Sequence, residues 1–136
     1  MDLVPDDIMA QRLENLKKLE TAGYPPYGKA FSRTGQLAVI RAAFQEGQEV
    51  RIAGRLMTSR EMGKSIFADL RDGSDRFQIY VQKNVVGDAT FDAFKLLDLG
   101  DQIGVEGTLV TTRTQEKTVK VSHWFLLSKA LRPLPE

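Results

Sequence analysis

The chain has 136 residues, enough for one domain whose core is stable without staples. It contains no cysteine and a single histidine, His123, which excludes a disulfide framework, thiolate metal sites and any multi-histidine metal site. Nineteen Lys and Arg stand against 18 Asp and Glu, a balance that argues against generic nucleic-acid binding by counterion release, so any such contact must come from local placement.

No apolar run approaches the roughly 18 residues of a membrane span, and no apolar core near the N-terminus suggests a signal peptide. The expectation is a soluble cytoplasmic protein. Residues 6–22 predict a helix: Pro5 with Asp6 or Asp7 supplies the start, and Met9, Leu13 and Leu16 recur at i, i+4 and i+7. Gly23 and Pro25 stop it. Its other face, with Arg12, Glu14, Lys17, Lys18 and Glu20, reads as a solvated surface, or alternatively as a helix touching an RNA backbone. The prolines of residues 24–31 (YPPYGKAF) forbid helix and predict an ordered connector packed through Tyr24, Tyr27 and Phe31. A second short helix is expected over 34–46, with Thr34 as N-cap, Leu37, Ile40 and Phe44 on one stripe and Gly47 past its end.

Three runs then alternate apolar with polar residues, 49–60, 64–71 and 76–82, separated by turns at EMGK and RDGSD. They predict a meander. Because successive strand side chains face opposite ways, the alternation buries Val50, Ile52, Leu56, Ile66, Ala68, Leu70, Phe77, Ile79 and Val81. The opposite phase carries Arg51, Arg55 and Met57, then Ser65, Phe67, Asp69 and Arg71, then Arg76, Gln78, Tyr80 and Gln82. Phe67 is thus a large ring in the wet phase. With a glutamine on the next strand and arginines around it, that composition suits a stacking platform for unpaired bases, although a single exposed aromatic can also be ordinary surface.

Residues 88–98 predict a third helix with Asp88 as N-cap, Phe91, Phe94 and Leu97 on one face and Gly100 as its stop. Strands over 101–112 and 117–127 follow, joined by a turn at RTQE. The first is expected to bury Ile103, Val105 and Leu109, the second Val119, Val121, Phe125 and Leu127, with His123 in the buried phase as a structural residue. Three strands, a helix and two strands is the order of an OB-fold, a five-stranded Greek-key barrel whose second and third strands bind oligonucleotides. The expected fold is therefore mainly β with flanking helices: N-terminal helices and connector over 1–47, the barrel over 48–130, and the start of a linker over 131–136.

Catalytic chemistry finds no foothold, because neither a dinucleotide fingerprint nor a Walker loop is present and no serine or threonine has a paired base. Asp69, Asp72 and Asp75 fail calcium-loop spacing and fall in a hairpin turn, where Asp and Gly are expected. No catalytic residue and no metal ligand is proposed.

Four segments carry a resemblance: RxxxLxxLxxxGxxPY at the first helix and connector, AGRLMTSREMGKSIFADLRDGSDRFQIYV through the meander, LDLGDQIGVEGTL entering strand four, and LLSKALRPLPE at the end. Together they resemble the N-terminal anticodon-binding domain of class II lysyl-tRNA synthetases over nearly the whole chain. The resemblance implies that Phe67 stacks on the central anticodon base, that Gln78 pairs with its edge, and that Arg60 and Lys64 contact the anticodon loop, with Arg55 on the same binding surface. It implies a reading role for Glu116 too, but Gln115 stands where many relatives have glycine. It further implies an intact enzyme that is a cytoplasmic homodimer using ATP, magnesium, lysine and tRNA(Lys), through a catalytic domain that follows RPLP and is not among these residues. By itself the chain is expected to bind tRNA without charging it. Two other readings stay open, a general single-strand-binding OB protein and a structural or dimerisation module.

Overall fold

The alternation of the middle segment builds β1 (Glu49–Met62), β2 (Ser65–Arg71) and β3 (Arg76–Gln82) as an antiparallel meander, and all nine residues expected inside are buried. A computed structural model describes residues 5–132; residues 1–4 of the N-terminal extension and 133–136 of the expected linker lie outside it. β4 (Gln102–Thr111) and β5 (Lys117–Ser128) complete a closed barrel in the order β1-β2-β3-β5-β4. Closure depends on a short parallel pairing of β3 with β5, which sets Gln78 beside Thr118 and Tyr80 beside Lys120. Closing the sheet removes its edges, so five strands suffice for a stable core.

Of the register shifts in the barrel, one in β1 and one in the middle of β5 change which residues face in. Met57 is the extra residue where β1 shifts register between Leu56 and Thr58, so Thr58 pairs with Asp69 and Arg60 with Phe67 on the outer face. Strict alternation from Ile52 and Leu56 would have turned Arg60 inward. In β5 the shift falls between Val121 and His123, which pair with Gly107 and Glu106. The expectation for the end of β5 is therefore corrected: Trp124 and Leu126 are buried, Phe125 and Leu127 are only partly covered, and His123 is exposed. One added residue inverts every side chain beyond it. Gly107 faces this crossing, where a β-carbon would sit 2.1 Å from the Lys120 carbonyl oxygen, so a side chain is excluded there.

The helices contribute Leu19, Leu37, Ile40, Phe91 and Phe94 to the same buried cluster as the strands. α1 (Pro5–Thr21) ends as expected: Gly23 takes a φ of 92°, and the Tyr24 N–H donates to the Leu19 carbonyl at 2.8 Å, a glycine-terminated C-cap. Leu19 is buried and Leu16 packs against the core as expected, while Leu13 is exposed. Arg12 is no solvated charge, for it donates to the carbonyls of Leu99, Ala130 and Arg132 at 3.0–3.1 Å. Past the helix, Tyr24 stacks on Trp124 at 4.1 Å, and Tyr27 and Phe31 pack with Phe125. The connector is thus fixed through the three aromatics expected of it.

α2 (Leu37–Ala42) is shorter than expected, and Thr34 does not cap it. The Thr34 hydroxyl accepts the Arg51 N–H instead, and the helix is capped from another element: Asp72 accepts the Leu37 N–H at 2.9 Å, and Ser74 accepts that of Ala38. Between β3 and β4 stand a single turn, α3 (Lys83–Val86), and α4 (Asp88–Phe94), which buries Phe91 and Phe94. Gly87, not Asp88, is the N-cap of α4.

The Asp72 carboxyl is held at about 2 although burial alone would raise it, because hydrogen bonds from Ser74, Leu37 and Asp75 outweigh that burial. A depressed carboxylate stabilises the fold fully above its ordinary value of 3.8 and loses that contribution as pH falls through about 2. The contribution is on the order of 2 kcal/mol. Thermal melts of Asp72→Asn are expected to show lower stability at neutral pH and a flatter decline than wild type between about pH 4 and 2. Parallel curves would show that the cap does not control acid stability.

Candidate nucleic-acid interface

The outer phase of β2 and β3 delivers Phe67 and Tyr80 as a cross-strand pair, with rings stacked 4.6 Å apart at an interplanar angle of 23°. Tyr80 is pinned at its far end, its hydroxyl 3.1 Å from that of Ser65. Neither ring belongs to the core. They floor a groove of ≈ 680 Å³ whose walls are Arg60 and Met62 from the β1 end, Gln78 from β3, Lys120 from β5 and residues 110–114 of the β4–β5 hairpin. Two aromatic faces beside an amide, with guanidinium and ammonium groups at the rim, can stack a base, read its edge and hold a phosphate.

One row away, the Gln78 Nε2 donates to the Thr118 hydroxyl at 3.0 Å, and that hydroxyl donates to the Glu116 carbonyl at 3.1 Å. The Glu116 carboxylate itself turns to Arg76, 3.3 Å away, which also holds Asp69 at 2.8 Å. Asp69 foremost, with Glu116 adding to it, pushes the Arg76 guanidinium further above its ordinary value. Arg76 is thereby a neutralised neighbour of the groove, not a free cation. Gln115 takes a φ of 66°, the left-handed conformation that glycine adopts most readily, and the turn closes through the Gln115 N–H on the Thr112 carbonyl at 2.9 Å.

Phe67, Gln78 and Arg60 thus meet in one groove, and Glu116 joins them indirectly through Thr118. Lys64, in the β1–β2 turn, and Arg55, paired with Arg71 two rows from Phe67, do not line it. Three further groups escaped the sequence reading. Tyr80 was readable as Phe67's partner, since the DGSD turn sets the pairing of the two strands. Lys120 and Arg113 reach the groove only because β5 closes the barrel against β3. Asp72 and Asp75, by contrast, are spent on the N–H groups and guanidinium around their own turn.

A model of the OB-fold nucleic acid binding domain matches residues 50–127, which is the barrel from β1 to nearly the end of β5. The chain belongs to that family. It is also 46% identical over 133 residues to the lysine–tRNA ligase of Moorella thermoacetica, an alignment covering 96% of this chain and 27% of the ligase. The corresponding ligase of Pelotomaculum thermopropionicum is 44% identical over 133 residues, and that of Dehalococcoides mccartyi 43% over 142. This OB-fold chain therefore spans about a quarter of the length of the curated relatives it matches. Among the described residues of the OB-fold chain, no helix is long and apolar enough to cross a membrane.

Proposed function

We propose that the barrel, over residues 48–130, reads the anticodon loop of tRNA(Lys) on behalf of a lysine–tRNA ligase. The observation that carries this is the opening of the Phe67 and Tyr80 rings, the Gln78 amide and Arg60 into one groove. A loop base stacks on Phe67, Gln78 meets its edge, and Arg60, Arg113 and Lys120 hold the flanking phosphates. Lys64 and Arg55 serve as outer contacts to the same loop, and Glu116 acts by shaping the turn and its neighbour Thr118.

Lysine, ATP and magnesium belong to the parent ligase, a cytoplasmic homodimer in this reading. The residues of this chain do not fit ATP and magnesium: its sequence has no phosphate-cradling loop, and the turn carboxylates are already taken by protein donors. The chain's own task is recognition.

Titration with RNA hairpins carrying a uridine-rich loop tests the proposal against general single-strand binding. Tight, loop-dependent binding supports it; affinity that follows length and salt alone, with no preference for the loop, supports the general binder instead. Gln78→Ala is expected to blunt the preference for uridine over cytidine at the loop centre while reducing affinity only modestly. It removes a hydrogen bond worth about 0.5–1.5 kcal/mol and little contact area. Fluorescence anisotropy with the two hairpins checks this, and an unchanged preference would count against Gln78 as reader.

A further inference from the structure

We infer that Thr118 is a specificity-determining positioning residue, which fixes the sense of the Gln78 carboxamide so that its oxygen, not its nitrogen, is presented to the base. The inference rests on the reading of the groove above. Thr118 is fully buried and does not line the groove, yet it touches Gln78, the side-chain amide of that lining. An amide has two nearly isosteric ends with opposite hydrogen-bonding character, so an unrestrained glutamine can flip and serve either base. Here the choice is made from behind.

A threonine hydroxyl has one proton. That proton goes to the Glu116 carbonyl at 3.1 Å, which leaves the Thr118 oxygen as an acceptor toward Gln78. The Gln78 Nε2 donates to it at 3.0 Å, and Oε1 is left as the acceptor of the amide's exposed edge. The reversed amide would set Oε1 against the Thr118 oxygen, and the hydroxyl proton would have to abandon Glu116. Barrel closure supplies the register for this, since Gln78 and Thr118 are direct partners in the parallel β3–β5 pairing. An outward acceptor suits the N3–H of uracil, whereas cytosine has a lone pair at that atom.

Thr118→Val, which keeps the shape and removes both hydrogen bonds, is the variant to test with hairpins bearing uridine or cytidine at the loop centre. The uridine preference is expected to fall about 3- to 10-fold, with affinity for the cytidine hairpin constant or improved, and Thr118→Ser is expected to restore it. A merely structural role would lower binding of both hairpins together, and Ser would not be distinguished from Val by preference. If wild type discriminates and Thr118→Val discriminates equally, this inference is overturned while the groove reading stands. If wild type shows no uridine preference, the groove reading itself fails. Should Thr118→Val not fold, side-chain amide NMR of the wild-type chain decides: a Gln78 Nε2 proton protected from exchange supports the pinned amide, and signals like those of solvent-exposed glutamines overturn it.

Discussion

Asp101→Ala is expected to cost about 3–5 kcal/mol of folding stability, read as a shifted midpoint in urea denaturation. Asp101 is completely buried and saturated: one oxygen accepts the Ala130 N–H at 2.8 Å, the other the Asp98 N–H at 2.8 Å and the Lys129 ammonium at 2.7 Å. The Lys129 side chain is only 4% exposed and also contacts Asp98 at 2.5 Å, and Asp98 accepts from Asn15 of α1. Removing Asp101 strands the Asp98 and Ala130 N–H groups and leaves the Lys129 ammonium with Asp98 as its carboxylate partner, so lost acceptors around a nearly enclosed charge set the size of the loss. Asp101→Asn is expected to be nearly as damaging, because its NH₂ must then face either the ammonium or an N–H. A loss under about 1 kcal/mol would mean that water reaches the cluster. The cluster joins the loop before β4 to the chain leaving β5, and Arg12 clasps the same exit through the Leu99, Ala130 and Arg132 carbonyls.

Phe67→Ala is expected to weaken binding of a uridine-centred hairpin by about 1–3 kcal/mol, roughly 5- to 200-fold in Kd, with the fold intact. The ring lies outside the core and its strand partner Tyr80 remains, so little stability depends on it. What is lost is a stacking face, which every base can use. Both uridine and cytidine hairpins should therefore weaken together, in contrast to Gln78→Ala, which should act on the difference between them. Phe67→Tyr is expected to retain most of the affinity, because the π-face is preserved. Unchanged anisotropy titrations for Phe67→Ala, beside unchanged melting temperature, would remove stacking from the mechanism.

The strands of the meander were legible because a half-buried strand writes its two faces into its sequence at period two, and the pattern from Val50 to Val81 holds without interruption on β2 and β3. Phe67 and Gln78 were placed by that same parity. Where parity was broken by an added residue, reading failed: the β5 bulge turned Trp124 inward and His123 outward, and nothing in VKVSHWFLL marks which residue is the extra one. Local cap signals misled for a related reason. Thr34 and Asp88 have the right chemistry in the right place, but the α2 N-terminus takes its acceptors from Asp72 and Ser74, more than thirty residues away.

The sequence by itself determined the strand faces, the element order and the outward placing of Phe67 and Gln78, since these follow from alternation and turn chemistry within a few neighbouring residues. Only the tertiary structure decided that Arg60 shares the outer face with Phe67, that Lys120 and Arg113 border the same groove, and that Thr118 stands behind Gln78. Bulge positions and the parallel closure of β3 on β5 are settled by how the whole barrel packs at once, through contacts between residues distant in the chain, and a local pattern carries no record of them.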